Sequence, residues 1–348
     1  MTTLRIAVTA DPYLAVPPRL YGGIERIIDL LVRGLIARGH HVTLFAHPDS
    51  RVEGATLVPY GAPPHVGAIA RARELWQLGF PLWYDRRQFD IVHSFGRLAA
   101  LLPLMPLRAL PKIQSYQRAI PWTGVRRAVR LAGGSLRFTA CSASLFRGHT
   151  NARGDGQWRA IFNGVELDRY SFSAHVARDA PLVFLGRLEP EKGTHVAIEI
   201  ARRAGRRLVI AGNRVDAHAD YFDAQIAPAL DGHSVTYVGP VDDRQKNALL
   251  GSAAALLFPT LFAEPFGIVM AESMACGTPV VALPNGAVPE VVRDGVNGYV
   301  CKTAQEAASA VGRLDRIDRR GVRQDAEQRF AAGVIVSQYE ALYHEALA

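Results

Sequence analysis

The stretch Glu264-Pro-Phe-Gly-Ile-Val-Met-Ala-Glu272-Ser-Met-Ala-Cys-Gly277-Thr-Pro279 decides the reading of the fold. The apolar run 254–258 leads straight into it, so a strand is followed by a loop and then a helix. Phe266 and Gly267 lie where that helix starts. Amides of a first helical turn have no partner inside the helix, and the helix dipole favours an anion there. Glu264 precedes the helix and Glu272 lies inside it. A carboxylate that far along cannot share a bound phosphate, but it can accept hydrogen bonds from ribose hydroxyls. The segment reads as a grip for a nucleoside diphosphate with a sugar-facing acid at its mouth.

Working outward, further apolar runs stand at 182–188, 207–211, 235–238, 279–283 and 299–301. The first half repeats the theme at 4–10, 42–46, 91–95, 112–116 and 138–142. Continuous runs of this kind fit strands buried on both faces of parallel sheets. Between the first two, Ile24, Ile27, Ile28, Leu31 and Leu35 recur at helical spacing, and Gly39 closes the helix. Strand–helix alternation predicts the α/β class with doubly wound sheets. A chain of 348 residues suits two such domains. The polar segment 166–180 marks the boundary, giving an N-terminal domain 1–165, a second domain 166–324 and a C-terminal helical segment 325–348. Ligands of doubly wound sheets bind beyond the carboxyl ends of the strands, and a cleft between two such domains is expected.

Hydrophobic residues make up 49% of the chain and charged ones 21%, which fits a soluble globular protein. No run reaches the roughly 18 apolar residues of a membrane span. The N-terminus lacks the basic start and long apolar stretch of a signal peptide, so a cytoplasmic protein is expected. Cys141, Cys276 and Cys301 are far apart and form neither a disulfide framework nor a metal pair. The net charge of +8 favours anionic partners without choosing among them. The segment 118–137 alternates Arg118, Arg126, Arg127, Arg130 and Arg137 with apolar residues. A solvated helix face is its first reading, and peripheral contact with an anionic membrane the alternative. Nucleic acid is not expected as a partner, because the other Arg clusters are scattered without interleaved aromatics. No Gly-x-Gly-x-x-Gly follows the first strand, which argues against a dehydrogenase.

Arg187 and Lys192 sit on a strand-to-helix connection, where an Arg fork and a Lys point charge suit a phosphate. They would offset charge growing on a departing diphosphate. Gly22-Gly23 follows a proline-rich loop and opens a helix, where glycine lets a backbone approach a ligand. His93 ends a buried strand.

The Glu264–Glu272 segment resembles the Glu-x7-Glu signature of the family 4 retaining glycosyltransferases, enzymes of the GT-B fold. Tyr21-Gly22-Gly23-Ile24-Glu25-Arg26, Asp90-Ile-Val-His93, Asn163-Gly164-Val165-Glu166 and Leu185-Gly186-Arg187-Leu188-Glu-Pro-Glu191-Lys192-Gly193 resemble that family's other motifs, in family order and over nearly the whole chain. The resemblance implies two Rossmann-like domains, with the C-terminal helix 325–348 crossing back to the N-terminal one, and transfer of a sugar from a nucleotide diphosphate sugar, UDP- or GDP-linked, with retained configuration. It implies His93, Arg187, Lys192 and Glu264 as catalytic residues. Glu264 would orient the sugar, and His93 would touch it. Gly22, Gly23, Val241, Gly267, Ile268, Val269 and Glu272 would bind the donor, with the backbone of 238–241 at the base edge. The leaving phosphate would take the acceptor proton, and neither a cofactor nor a metal is implied. The resemblance does not name the acceptor: a saccharide, a lipid-linked or a small molecule would each fit. Asn285-Gly286-Ala287-Val288-Pro289-Glu290 replaces the first Gly of the family's Gly-Gly-x-Pro-Glu, and Ser273 replaces its usual Ala. A nucleotide-sugar 2-epimerase of the same fold is the alternative enzyme. A non-enzymatic basic protein binding nucleic acid or membrane is the remaining one.

Overall fold

Parallel sheets form where the apolar runs stand. The computed structural model describes residues 2–18, 22–61, 68–149 and 153–348. Strands β1 (Arg5–Thr9), β2 (His41–Ala46), β3 (Thr56–Pro59), β4 (Ile91–Ser94), β5 (Lys112–Tyr116), β6 (Leu136–Ala140) and β7 (Gln157–Ala160) pair in the order β3-β2-β1-β4-β5-β6-β7. Strands β8 (Leu182–Leu185), β9 (Leu208–Ala211), β10 (Val235–Tyr237), β11 (Ala255–Phe258), β12 (Val280–Ala282) and β13 (Gly298–Val300) pair in the order β10-β9-β8-β11-β12-β13. Each order runs outward in both directions from the first strand of its sheet, which is the doubly wound pattern. The chain divides into two compact units. One is Met1–Asn163 with Ala332–Ala348, and the other is Gly164–Ala331.

The inner strands coincide with the apolar runs. The edge strands β3 and β7 do not. Both are half-exposed, and β7 reads Gln-Trp-Arg-Ala. An edge strand needs apolar residues on one side only, and β3 ends on Pro59, whose missing N–H suits an edge.

The sheet of the first unit carries different layers on its two faces. Val92 turns to a core built with Leu78, Leu82, Leu101, Leu104, Val125 and Ala128. These belong to helix Ala68–Tyr84, the short turn Leu98–Leu104 and helix Trp122–Ala132. His93, one residue on, turns to the other face and meets Tyr339 and Tyr343 of helix Ala332–Leu347. That helix packs against Gly23–Ala37. A Cβ on Gly34 would lie 2.4 Å from Val336 Cγ2, so the two backbones approach closely there.

The sequence reading ran one helical segment from Asp325 to the end. The structure breaks it at Ala331, whose ψ of 137° is extended. Helix Arg319–Phe330 stays with the second unit, and Ala332–Leu347 belongs to the first. In the second unit the buried Arg319 guanidinium donates to the carbonyls of Ser173, Ala253 and Gly251 and to Thr278 Oγ1. Burial lowers its pKa to about 10, which still leaves it charged. Four acceptors on three separate segments explain why a buried cation is tolerated there.

Candidate functional site

In the second unit the loops after β8, β11 and β12 are tied to one another at the carboxyl edge of the sheet. The Leu261 amide donates to Glu191 O at 2.8 Å, and the Ala287 amide donates to Glu264 O at 2.8 Å. Two glycines make these approaches possible. A Cβ on Gly193 (φ +74°) would lie 2.1 Å from Pro259 O, and one on Gly286 (φ +61°) 2.2 Å from Glu264 O. Neither a side chain nor its φ is tolerated at such positions. Asn285, which stands where the family pattern has a glycine, donates from Nδ2 to Thr260 O at 2.7 Å. The departure from the pattern thus adds a tie between the β11 and β12 loops.

Lys192 and Glu264 meet within this loop cluster. Their Nζ–Oε2 distance is 2.6 Å, and Nζ also lies 4.5 Å from the centre of the Phe262 ring. A charge-assisted hydrogen bond of this length fixes both side chains. Arg187 pairs with Glu189 at 2.7 Å and keeps 41% of its side chain exposed. Gly267 (φ +76°) opens helix Ile268–Ala275. Phe258 and Met270 would crowd a Cβ on it at 2.8 Å each. Ile268 and Val269 form the first turn, where amides lack helical partners. The predicted residues Arg187, Lys192, Glu264, Gly267, Ile268 and Val269 therefore stand on loops and a helix start that follow β8 and β11.

Glu272 lies one turn further on and is buried. Its Oε1 accepts from Tyr170 Oη at 2.7 Å and from Lys246 Nζ at 2.6 Å. Burial and the neighbouring Glu272 push the Tyr170 phenol well above its ordinary range, so it stays a donor. Sequence reasoning missed both partners. Lys246 had a local signal: Asp242 closes a capping box with Gln245, which starts a helix at Asp243 and puts Lys246 in its first turns. Tyr170 had none, because it comes from the polar boundary segment 102 residues away. Arg323 holds that segment in place, donating to Tyr170 O and to Ala275 O at the end of the Glu272 helix. A cation at a helix C-terminus also complements its dipole. Val241 is half-buried just before Asp242. The strand end preceding it is held by a 2.9 Å bond from the Gly212 amide to Gly239 O.

In the first unit, Gly22 precedes helix Gly23–Ala37 as its cap. A Cβ there would lie 2.7 Å from Pro18 Cβ and 2.8 Å from Glu25 Oε2. Burial raises the Glu25 carboxyl pKa. Tyr21, the first residue of that motif, lies outside the described residues. Asp11 pairs with Arg118 in the same unit.

His93 needs a correction. It was expected to touch the transferred sugar, yet its exposure is 0%. Nδ1 is 2.6 Å from Tyr343 Oη, and Nε2 is 2.6 Å from Ser115 Oγ. Phe95 and Tyr339 pack on the ring, and burial lowers its pKa to about 3. A neutral ring with both nitrogens engaged has no atom left for a ligand. His93 is a structural group of the first unit.

Comparison with known proteins agrees with the fold. Residues 172–328 match the family model "Glycosyl transferases group 1", and residues 21–169 match "Glycosyltransferase Family 4". The glycogen synthase of Mycobacterium tuberculosis is 29% identical, with 88% of this chain and 84% of that one covered. The phosphatidyl-myo-inositol mannosyltransferase of the same organism is 28% identical, with 92% and 93% covered. Among solved structures, Anabaena Alr3699/HepE in complex with UDP superposes with a TM-score of 0.76 at 20% identity, covering 99% of this chain and 100% of that one. With two Rossmann-like sheets of the GT-B type and both family models in chain order, the chain belongs to the family 4 glycosyltransferases.

Proposed function

We propose that this glycosyltransferase moves a sugar from a nucleotide diphosphate sugar, UDP- or GDP-linked, to an acceptor hydroxyl with retention of anomeric configuration. The observation that carries the reading is the Lys192–Glu264 pair held at 2.6 Å beside the helix start at Gly267. A bound diphosphate competes with the Glu264 carboxylate for Lys192 and accepts from the Gly267–Val269 amides, with Arg187 as a second cation. Glu264, released from full pairing, is free to orient the sugar. Glu272 accepts from Lys246 and Tyr170 on Oε1 and offers Oε2 to ribose hydroxyls. The backbone around Val241 is assigned to the base. Gly22 and Gly23 are assigned to donor binding through their backbone.

As the bond to the donor sugar breaks, negative charge grows on the leaving phosphate. Fixed cations and amides stabilise that charge better than water does, because they need not reorganise. The leaving phosphate then takes the acceptor's proton on the same face. No carboxylate nucleophile is required, in contrast to double-displacement glycosidases. Arg187 and Lys192 supply the charge a metal would otherwise supply, so we read the reaction as metal-independent, with full turnover expected in a chelator. The UDP bound by the structural neighbour supports a nucleotide donor. None of the three buried cysteines forms a disulfide, which fits a reducing, cytoplasmic setting.

Thermal denaturation with UDP, GDP, ADP and TDP tests the donor class, since a ligand of the folded state raises Tm by mass action. Stabilisation by one of them is expected, and no shift with any would refute the reading. NMR of a turning-over donor reports the anomeric outcome. Conversion of the donor without acceptor would favour the 2-epimerase instead.

A further inference from the structure

Helix Ala68–Tyr84 turns Leu78 and Leu82 into the core of the first unit and carries four exposed aromatic residues. Trp76 is 67% exposed and Tyr84 69%, with Phe80 and Trp83 between them. Trp76, Phe80 and Tyr84 are spaced four apart and stack along the helix, with ring centres 5.1 and 6.1 Å apart. The Arg86 guanidinium lies 4.4 Å over the Trp83 ring. Single exposed apolar side chains are ordinary on a soluble protein, but a contiguous aromatic row marks an interaction surface.

The elements packed beside this helix also carry exposed apolar side chains. The turn Leu98–Leu104 packs against this helix and carries exposed Leu102. Helix Trp122–Ala132 packs against the same turn and ends at exposed Leu131. Arg127 and Arg130 are exposed on that helix. Arg108 is exposed beside its end, 3.7 Å from where a Cβ on Gly133 would stand. Among the described residues none of these three arginines has an ion-pair partner.

Charge identifies the occupant. Between Asp90 and Asp155 the sequence holds ten cations, nine Arg and one Lys, and no carboxylate side chain. The whole chain has 40 cations against 32 acids, so the rest of it has 30 against 32 and is slightly acidic. The excess positive charge therefore resides in this one segment of the first unit.

We propose that this face docks on an anionic lipid surface. Aromatic rings suit the headgroup boundary, and neighbouring arginines reach lipid phosphates while their stems lie on apolar surface. A helix with a buried apolar side and an aromatic outer side would lie in the plane of the membrane rather than cross it. Indeed, no helix among the described residues is long and apolar enough to cross. A second copy of this chain fits the face less well. A two-fold contact would set this cationic layer against itself. The proposal is independent of the donor reading, which rests on the second unit.

The test uses the full chain and sedimentation with vesicles of phosphatidylcholine alone or mixed equally with phosphatidylglycerol. Binding is expected to the anionic vesicles only, weakening as salt rises. Lipids brominated near the headgroup should quench tryptophan fluorescence. The double variant Trp76→Ala/Tyr84→Ala should weaken partitioning roughly tenfold, and Arg127→Glu/Arg130→Glu by at least as much. Both change exposed side chains, so the circular dichroism spectrum should be retained. Binding of a nucleoside diphosphate should also be unchanged in both. No sedimentation with anionic vesicles at low salt would overturn the proposal, as would binding by both variants as tight as that of the parent chain. Self-association lost in Trp76→Ala/Tyr84→Ala, with no lipid binding by the parent, would give the face to a second copy instead.

Discussion

Beyond β8 and β11 of the second unit, Arg187, Lys192 and Glu264 are charged, paired and partly accessible. At the end of β4 in the first unit the polar side chain is His93, neutral and sealed by Tyr343 and Ser115. The two strand ends look alike as sequence, since each closes a buried apolar run with a group able to do chemistry. They differ in what the group can exchange. Lys192 can trade part of its bond to Glu264 for a phosphate oxygen, because both members already stand at a loop surface. His93 could meet a ligand only after losing two hydrogen bonds and its packing. A motif position therefore shows where a side chain sits along the chain, and the layer packed over it decides whether it binds or braces.

The comparison can be broken most sharply at Lys192. Its replacement by Ala removes a fixed cation and leaves Glu264 unpaired. Turnover should fall by about 10²- to 10³-fold, read from steady-state kinetics with the donor that binds best, whereas turnover within a factor of about two would remove Lys192 from the chemistry. Gly193 comes next. Gly193→Ala sets a Cβ against Pro259 O at a positive φ and should cost about 3 kcal/mol in denaturant unfolding. Gly205 has a similar φ with nothing within 4 Å, so Gly205→Ala should cost only about 1 kcal/mol. Equal losses would mean that close loop contact does not shape the second unit.

His93 sharpens the other side. Its pKa in the fold is lowered to about 3, against 6.5 for a free ring. Between those values the unfolded chain binds the extra proton, so stability falls as pH falls. From about pH 7 to about pH 5 the loss should be about 2 kcal/mol, and His93→Gln should flatten that slope. An unchanged slope in the variant would show that the ring is not held neutral. The smallest effect is expected at Lys246. Lys246→Met keeps most of the stem and deletes the cation that pairs with Glu272, so the donor Kd should rise about tenfold with little change in kcat. A fall in kcat with Kd unchanged would move Glu272 from binding to chemistry.

These outcomes bear on what could be read from the chain itself. The inner strands were legible because a strand covered on both faces is apolar at every position, as in Ala255–Phe258. The edge strands Thr56–Pro59 and Gln157–Ala160 were not, because half of each faces water. Gly193, Gly267 and Gly286 were visible as glycines in motifs, and the backbone approaches they permit are what such glycines predict. Tyr170, brought to Glu272 from 102 residues away, left no local trace. Nor did Tyr343, which closes His93 from 250 residues away on a helix that returns to the first unit. The aromatic row of Ala68–Tyr84 was also passed over, since exposure cannot be told from burial by residue type alone.

The central claim is that the second unit holds a diphosphate through Arg187, Lys192 and the helix start at Gly267. Calorimetric titration of uridine, UDP, guanosine and GDP into the parent chain, Arg187→Ala and Lys192→Ala tests it directly. One of the two diphosphates should bind far more tightly than its own nucleoside, and each substitution should weaken the diphosphate about tenfold or more while leaving the nucleoside unaffected. Equal binding of the diphosphate to all three proteins, or no binding to the parent chain, would contradict the account.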